Sequence, residues 1–245
     1  IWGIRPENFY TTAKAVKELG FAGVDINMGC PVQVIIKNGA CSALIKNPSL
    51  AAEIIQATKE GAGDLPVSVK TRAGFGTEII DEWIGFLLKQ NLSALTVHLR
   101  TVKELSQVPA HWEYMPRIKT LRDEIAPETI LSGNGDIVSL EEINDKFAQY
   151  QCDGFMIGRG IFANPWMFNR EEGAKERGIA ERVGLYKKHI ELYKETWGEG
   201  KHFASLKKFA KTYISNFPDA SNLREKLMEA KNIQDLLDTL NTYEV

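Results

Sequence analysis

The chain has 245 residues, 44% hydrophobic and 25% charged, with 30 Lys and Arg against 32 Asp and Glu for a formal net charge of −2. This is globular composition, sufficient for one α/β barrel or a partial barrel with a small second domain; it excludes fibres and any overall charge that attracts nucleic acid, so RNA contact needs a local basic face. No run approaches the ~18 apolar residues of a membrane span, no signal-peptide pattern opens the chain, and three cysteines without a Cys-x-x-Cys pair speak against a disulfide framework or structural zinc, so a cytoplasmic chain free of membrane and metal is expected.

The first expected element is a helix from Pro6 with Phe9, Ala13 and Val16 on one face. A strand over Gly23–Asn27 follows, then Asn47-Pro48 supplies an N-cap and a first-turn proline for the next helix. Val67–Thr71 reads as a second strand, and Thr77 precedes a helical stripe of Ile80, Trp83, Ile84 and Leu87. Ala94–His98 and Thr129–Ser132 are the third and fourth strands; Ser139 with Glu142 forms a capping box, and Gly154–Gly158 is the fifth strand. Strand alternating with helix from residue 6 to about 168 is the pattern of βα units around a parallel sheet.

Beyond about residue 170 the period of two disappears. Stripes of Tyr186/Ile190/Tyr193/Trp197, Phe203/Leu206/Ala210/Tyr213/Phe217, Leu223/Leu227 and Ile233/Leu236/Leu237/Leu240 indicate helices only. Two domains are expected, 1–170 built on the parallel sheet and 171–245 helical. Lys207, Lys208 and Lys211 fall away from their helix's apolar stripe, with Lys201 upstream. Taken alone, that cluster is an ordinary solvated face.

The strand ends carry the chemistry. Asp-Ile-Asn-Met-Gly-Cys-Pro (25–31) places the Cys30 thiol at the end of a strand that Pro31 stops. Residues two apart on a strand point the same way, so Lys70 shares a direction with Arg72 and His98 with Arg100. Ser-Gly-Asn-Gly (132–135) and Gly-Arg-Gly (158–160) offer backbone N–H groups suited to a phosphate. In a parallel barrel such ends surround one opening, here cationic and fitted to an anionic cofactor.

With Val-Lys-Thr-Arg (69–72), Val-His-Leu-Arg-Thr (97–101) before Ala-His-Trp (110–112), and Gly-Arg-Gly-Ile-Phe-Ala-Asn-Pro-Trp (158–166), the chain resembles the tRNA-dihydrouridine synthases, flavoproteins that reduce tRNA uridines. The resemblance implies a TIM (β/α)8-type barrel holding FMN, a helical tRNA-binding domain, NADPH as electron donor and no obligate protein partner. It implies that Cys30 is the general acid for C5 of the uracil while reduced flavin gives hydride to C6; an ordinary thiol, pKa ~8.5, is mostly protonated at neutral pH. Asn27 would orient the base. Lys70 and His98 would lie against the flavin ring, where positive charge favours the anionic reduced form. Arg72 and Arg100 would face the uracil or its RNA backbone, and Asn134, Gly135, Gly158 and Arg159 would hold the FMN phosphate. Lys207 and Lys211 would help grip the tRNA.

Some features depart from the family pattern. Gly39-Ala40-Cys41-Ser42 stands where the family has Gly-Ala-Gly-Ser, and Cys41 reads as a tolerated small residue; Cys152, at a strand start, reads as core. The resemblance further implies eight strands, with this chain beginning at the tail of the third, so the first strands are expected to be missing. Two other readings are a free-pyrimidine flavoenzyme of the dihydroorotate dehydrogenase type, disfavoured by the lysine-bearing helical tail, and an inactive RNA-binding fragment.

Overall fold

The computed structural model describes residues 1–169, 175–198 and 201–243. Its first compact unit, Ile1–Arg159, is built on five parallel strands hydrogen-bonded in chain order. The elements are α1 (Pro6–Glu18), β1 (Val24–Met28), α2 (Gln33–Lys37), α3 (Pro48–Ala62), β2 (Val67–Gly74), α4 (Gly85–Leu88), β3 (Ala94–Thr101), α5 (Met115–Ile125), β4 (Ile130–Asn134), α6 (Leu140–Tyr150) and β5 (Gly154–Met156). Among the described residues the sheet has two edges, β1 and β5, and does not close on itself. The central strands β2 and β3 run past their expected ends because they have partners on both sides, whereas β5, with one partner, stops at Met156 rather than Gly158.

Period-two alternation divides the sheet into two unlike faces. Ile26, Met28, Val69, Leu95, Val97, Leu99 and Leu131 are fully buried on one face and form the core with the helices. Each large apolar side chain buried there contributes roughly 1.5–3 kcal/mol of transfer free energy. Thr71, also on that face, accepts from Trp83 Nε1 at 2.9 Å and donates to the Met28 carbonyl at 3.2 Å, so its hydroxyl is buried without loss. Phe9 and Ala13 bury α1 against α3, and a Cβ on Gly61 would lie 2.2 Å from the Tyr10 carbonyl oxygen, so glycine sets how closely the helices cross.

Local start signals are met in part. Asn47 caps α3 by accepting the Leu50 N–H, and Ser139 caps α6 by accepting the Glu142 N–H. The reciprocal half of the expected capping box is displaced by one residue, the Glu142 carboxylate taking the Val138 N–H. Thr77 does not cap the next helix: a wide π-type turn over Ile80–Ile84 leads into α4, and the Glu78 carboxylate accepts the Ile80 N–H. Cys152 is buried in the core, in keeping with its reading.

The second unit, Gly160–Val245, contains α7 (Gly160–Ala163), α8 (Ile179–Trp197), α9 (Ala204–Tyr213), α10 (Ala220–Glu229) and α11 (Ile233–Asn241). Tyr186, Ile190, Leu206, Ala210, Leu223, Leu227, Leu236 and Leu240 form its own buried core. Trp197 departs from its expected stripe: it is exposed, with Lys201 Nζ 3.5 Å from its ring centroid. The expected boundary at 170/171 lies outside the described residues. Gly160–Ala163 belongs with the helices because Phe162 meets Phe209 of α9, ring centroids 5.9 Å apart.

Candidate active site

Strand register assembles the site. Asn27, Lys70, Thr96, Ser132 and Gly154 are paired across all five strands, and Arg72, His98, Asn134 and Met156 form the next row toward the carboxyl ends. Paired residues on parallel strands point to the same face, so polar side chains line the face opposite the apolar core.

The Cys30 loop is fixed from three directions. Asn27 Oδ1 accepts the N–H groups of Gly29 at 3.0 Å and Cys30 at 3.1 Å, turning the chain out of β1. Arg72 Nε donates to the Gly29 carbonyl at 2.9 Å, and Ser42 Oγ to the Cys30 carbonyl at 2.7 Å. The resulting position leaves Cys30 half-buried at the strand end. Asn27, expected to orient the base, thus holds this loop with its side-chain oxygen.

The two arginines make hydrogen bonds to the protein itself. Arg72 is 5% exposed; besides Gly29, its Nη1 donates to the carbonyls of Thr101 and Leu105, both at 2.9 Å. Arg100 is 2% exposed: Nε donates to the Val108 carbonyl at 2.7 Å, Nη1 meets His98 Nε2 at 3.0 Å, and Nη2 pairs with the Asp136 carboxylate. All three Arg100 nitrogens and the Nε and Nη1 of Arg72 are engaged by the protein, so both guanidinium groups brace the site. Burial and then the Arg100 charge bring Arg72 down to about 10, still cationic at neutral pH.

The tautomer of His98 follows from its partner. An arginine only donates, so His98 Nε2 accepts from Arg100 and the ring proton resides on Nδ1. Burial first, then the charges of Arg72, Lys70 and Arg100, push His98 down to about 3. It is therefore a neutral Nδ1–H donor among three cations, Arg72, Lys70 and Arg100. Among the described residues no ion pair or hydrogen bond engages Lys70 Nζ; burial, then Arg72, lowers its pKa, partly offset by Asp25. A half-buried ammonium without a counterion fits an anionic ligand.

At the proposed phosphate end, Asn134 Nδ2 donates to the Met156 carbonyl at 2.7 Å, binding β4 to β5. Gly135 has φ +141, its carbonyl accepts from Trp112 Nε1, and a Cβ there would stand 2.5 Å from Ala110 Cβ; it accommodates the Ala110–Trp112 segment. Gly158 differs, since an added Cβ would meet nothing within 4 Å, and Arg159 beside it is exposed, with Asp136 Oδ1 3.4 Å away. Open space beside a reachable guanidinium fits a phosphate. Asp136 links Arg100, Arg159 and the Ala110 N–H; burial opposes its ionisation, but these partners hold its carboxyl below the usual range. Its motif was visible in the sequence, but its role as a hub depends on partners from two other segments.

In the helical unit, Lys208 and Lys211 are exposed. Lys207 is committed: Nζ donates to the carbonyls of Met228 at 2.8 Å and Ala230 at 2.5 Å, covering the end of α10. No helix among the described residues is long and apolar enough to cross a membrane.

A thiol, a lysine and an open glycine-arginine corner at the carboxyl ends of a parallel α/β sheet stand where enzymes of this architecture carry their active sites. The family model described as dihydrouridine synthase matches residues 1–244. The chain is 46% identical over 248 residues to a probable tRNA-dihydrouridine synthase of Staphylococcus epidermidis, and 46% identical over 247 residues to a probable tRNA-dihydrouridine synthase 2 of Bacillus subtilis. In both cases the match covers 100% of this chain and 74% of the relative. A structure of morphinone reductase in complex with tetrahydroNAD aligns with TM-score 0.48 and 19% identity, over 70% of this chain and 49% of that one. The chain belongs to the dihydrouridine synthase family, a family of oxidoreductases.

Proposed function

We propose that this chain reduces uridines of tRNA to 5,6-dihydrouridine, using FMN held at the strand ends and electrons from NADPH, with the five strands forming part of a (β/α)8 barrel. The observation that carries this reading is the Cys30 thiol, held just past the end of β1 by Asn27, which is paired in register with Lys70. Bound reduced flavin supplies the hydride for C6 of the uracil.

The chain's residues perform the remaining work. The Cys30 thiol gives its proton to C5, and Asn27 keeps that loop in position through the Gly29 and Cys30 N–H groups. Lys70 balances negative charge on the cofactor, His98 offers its Nδ1–H, and Gly158 with Arg159 receives the phosphate. Arg72 and Arg100 hold the loops that surround them. A uridine buried in folded tRNA must leave its stack to reach a strand-end site, so the base is flipped outward. Lys208 and Lys211 of the helical unit hold phosphates of the surrounding RNA.

Cys30→Ala tests the assignment: FMN and tRNA should still bind, whereas single-turnover dihydrouridine formation should fall by ~10²–10⁴-fold, the usual contribution of a general acid. Near-parental reduction of tRNA by this variant would remove Cys30 from the mechanism.

A further inference from the structure

Cys30 is not the only thiol at the strand end. The 3₁₀ turn Cys41–Lys46 starts beside it, and Ser42 Oγ, on the residue after Cys41, donates to the Cys30 carbonyl at 2.7 Å. Cys41 is 1% exposed and has φ +54, a left-handed conformation that residues with a side chain rarely adopt. The Ser42 bond holds the start of this turn against the Cys30 backbone, so Cys41, the preceding residue, lies close enough to Cys30 for the two thiols to influence each other's ionisation. Burial, then the neighbouring Cys30, pushes Cys41 up to about 11, so it remains a thiol. A small filler explains the burial but not the pairing. Cys152, buried in the core, takes no part in it.

We propose that Cys30 and Cys41 form a reversible disulfide when the protein meets hydrogen peroxide, a modification that withdraws Cys30 from the site and protects it from irreversible oxidation. Cys30 is the sulfur that peroxide reaches, being half-buried where Cys41 is enclosed. The Cys30 sulfur, as its thiolate, attacks one peroxide oxygen; the O–O bond breaks, giving Cys30 sulfenic acid and, after proton transfer, water. The Cys41 sulfur then attacks the Cys30 sulfur, the S–O bond breaks, and hydroxide leaves as water with the proton from Cys41. In balance, two thiols are oxidised to one disulfide and one peroxide is reduced to two waters.

The chemical arm of the test is independent of activity, whereas the inactivation arm rests on the proposed role of Cys30. The protein is treated with hydrogen peroxide, alkylated under denaturing conditions and mapped by peptide mass, alongside Cys41→Gly, which suits the left-handed backbone, and Cys41→Ser, which conserves size. The parent should show a Cys30–Cys41 cross-linked peptide lighter by two hydrogens, an alkylated Cys152, and loss of dihydrouridine formation that dithiothreitol restores. Both variants should reduce tRNA normally before treatment, then carry Cys30 sulfinic or sulfonic acid and lose activity irreversibly. If peroxide drives Cys30 of the parent to sulfinic acid without the cross-link, or leaves both thiols free under a dose that oxidises Cys30 in the variants, the proposal is wrong while the role of Cys30 in uridine reduction stands. A cross-linked protein that still reduces tRNA would support the pairing and overturn that role instead.

Discussion

Replacing Arg100 by methionine removes a buried cation while keeping most of its apolar stem, and so tests whether this residue organises the site. Three interactions are lost: to the Val108 carbonyl, to His98 Nε2 and to Asp136. Counted singly, at ~1.5–3 kcal/mol per charge-assisted bond, they sum to about 5–9 kcal/mol. That overstates the loss, because the variant no longer desolvates a guanidinium. Breaking one side of a buried ion pair costs ~3–5 kcal/mol. Asp136 keeps the Ala110 N–H and Arg159, and its side chain is 37% exposed, which places the loss near the lower end, about 3 kcal/mol. Against the ~5–15 kcal/mol of a typical domain the protein should still fold. The assay is urea unfolding followed at buried β3 amides, with the ¹⁵N shifts of the His98 ring in the folded variant. Nε2 should lose its acceptor signature as the two tautomers mix, and the pKa should rise from about 3 while staying below the ordinary histidine value, since burial, Arg72 and Lys70 remain. A stability within ~1 kcal/mol of the parent, with an unchanged His98 Nε2 signal, would show that Arg100 neither stabilises the unit nor sets the tautomer.

Asn27→Ala should lower kcat roughly ten-fold with tRNA affinity intact, because losing two loop-holding bonds frees Cys30; the Gly29 and Cys30 amides should exchange faster, and unchanged exchange would refute the loop role. His111 joins Glu113 through Nδ1 and Glu104 through Nε2. The bond to Glu113 leads in raising its pKa, so the stability it contributes is full below its unfolded value of ~6.5 and lost as pH rises through the higher folded value. Both carboxylates are lowered, Glu104 because bonds from Thr101 and His111 outweigh its burial and Glu113 by its own backbone N–H and His111; their contribution is present above the unfolded carboxylate value and lost as pH falls through the lower folded one. His111→Gln should therefore flatten the alkaline limb of the pH–stability curve, measured by urea unfolding, and soften the acid limb by the share His111 contributes, the Thr101 bonds to Glu104 and the backbone bond to Glu113 remaining. Charge reversal at Lys208 and Lys211 should weaken tRNA binding and reduce its salt dependence by about one unit of slope per lost phosphate contact; equal affinity and slope would exclude that face. Lys207→Met should instead lower the thermal stability of the helical unit, by releasing the Met228 and Ala230 carbonyls.

The strands and the loading of their carboxyl ends were legible because both depend on local pattern: apolar runs of the right length, a proline after Cys30, glycines after β4. What a long side chain does once on the correct face was not legible. Period two correctly groups Lys70 with Arg72 and His98 with Arg100, but both arginines reach out of their rows to carbonyls in loops that no spacing rule connects to them. The neutrality of His98 depends first on its burial and then on cations from its own strand and the neighbouring β2, and the engagement of Lys207 on a helix end more than a dozen residues away in sequence. Thr77 failed as a cap because the Glu78 carboxylate reached the Ile80 N–H in its place. In each case the sequence supplied the group, and a distant segment chose its partner.

Arg72 and Arg100 fasten their surroundings mainly through main-chain oxygens, those of Gly29, Thr101, Leu105 and Val108. A carbonyl is the one acceptor that every residue type carries, so the segment after β3 is free to drift in side-chain identity without loosening its anchors. Its length has no such freedom. An inserted or deleted residue between Thr101 and Val108 would carry an oxygen out of register with a guanidinium that cannot follow, so divergence along this segment should proceed by substitution while its residue count stays fixed.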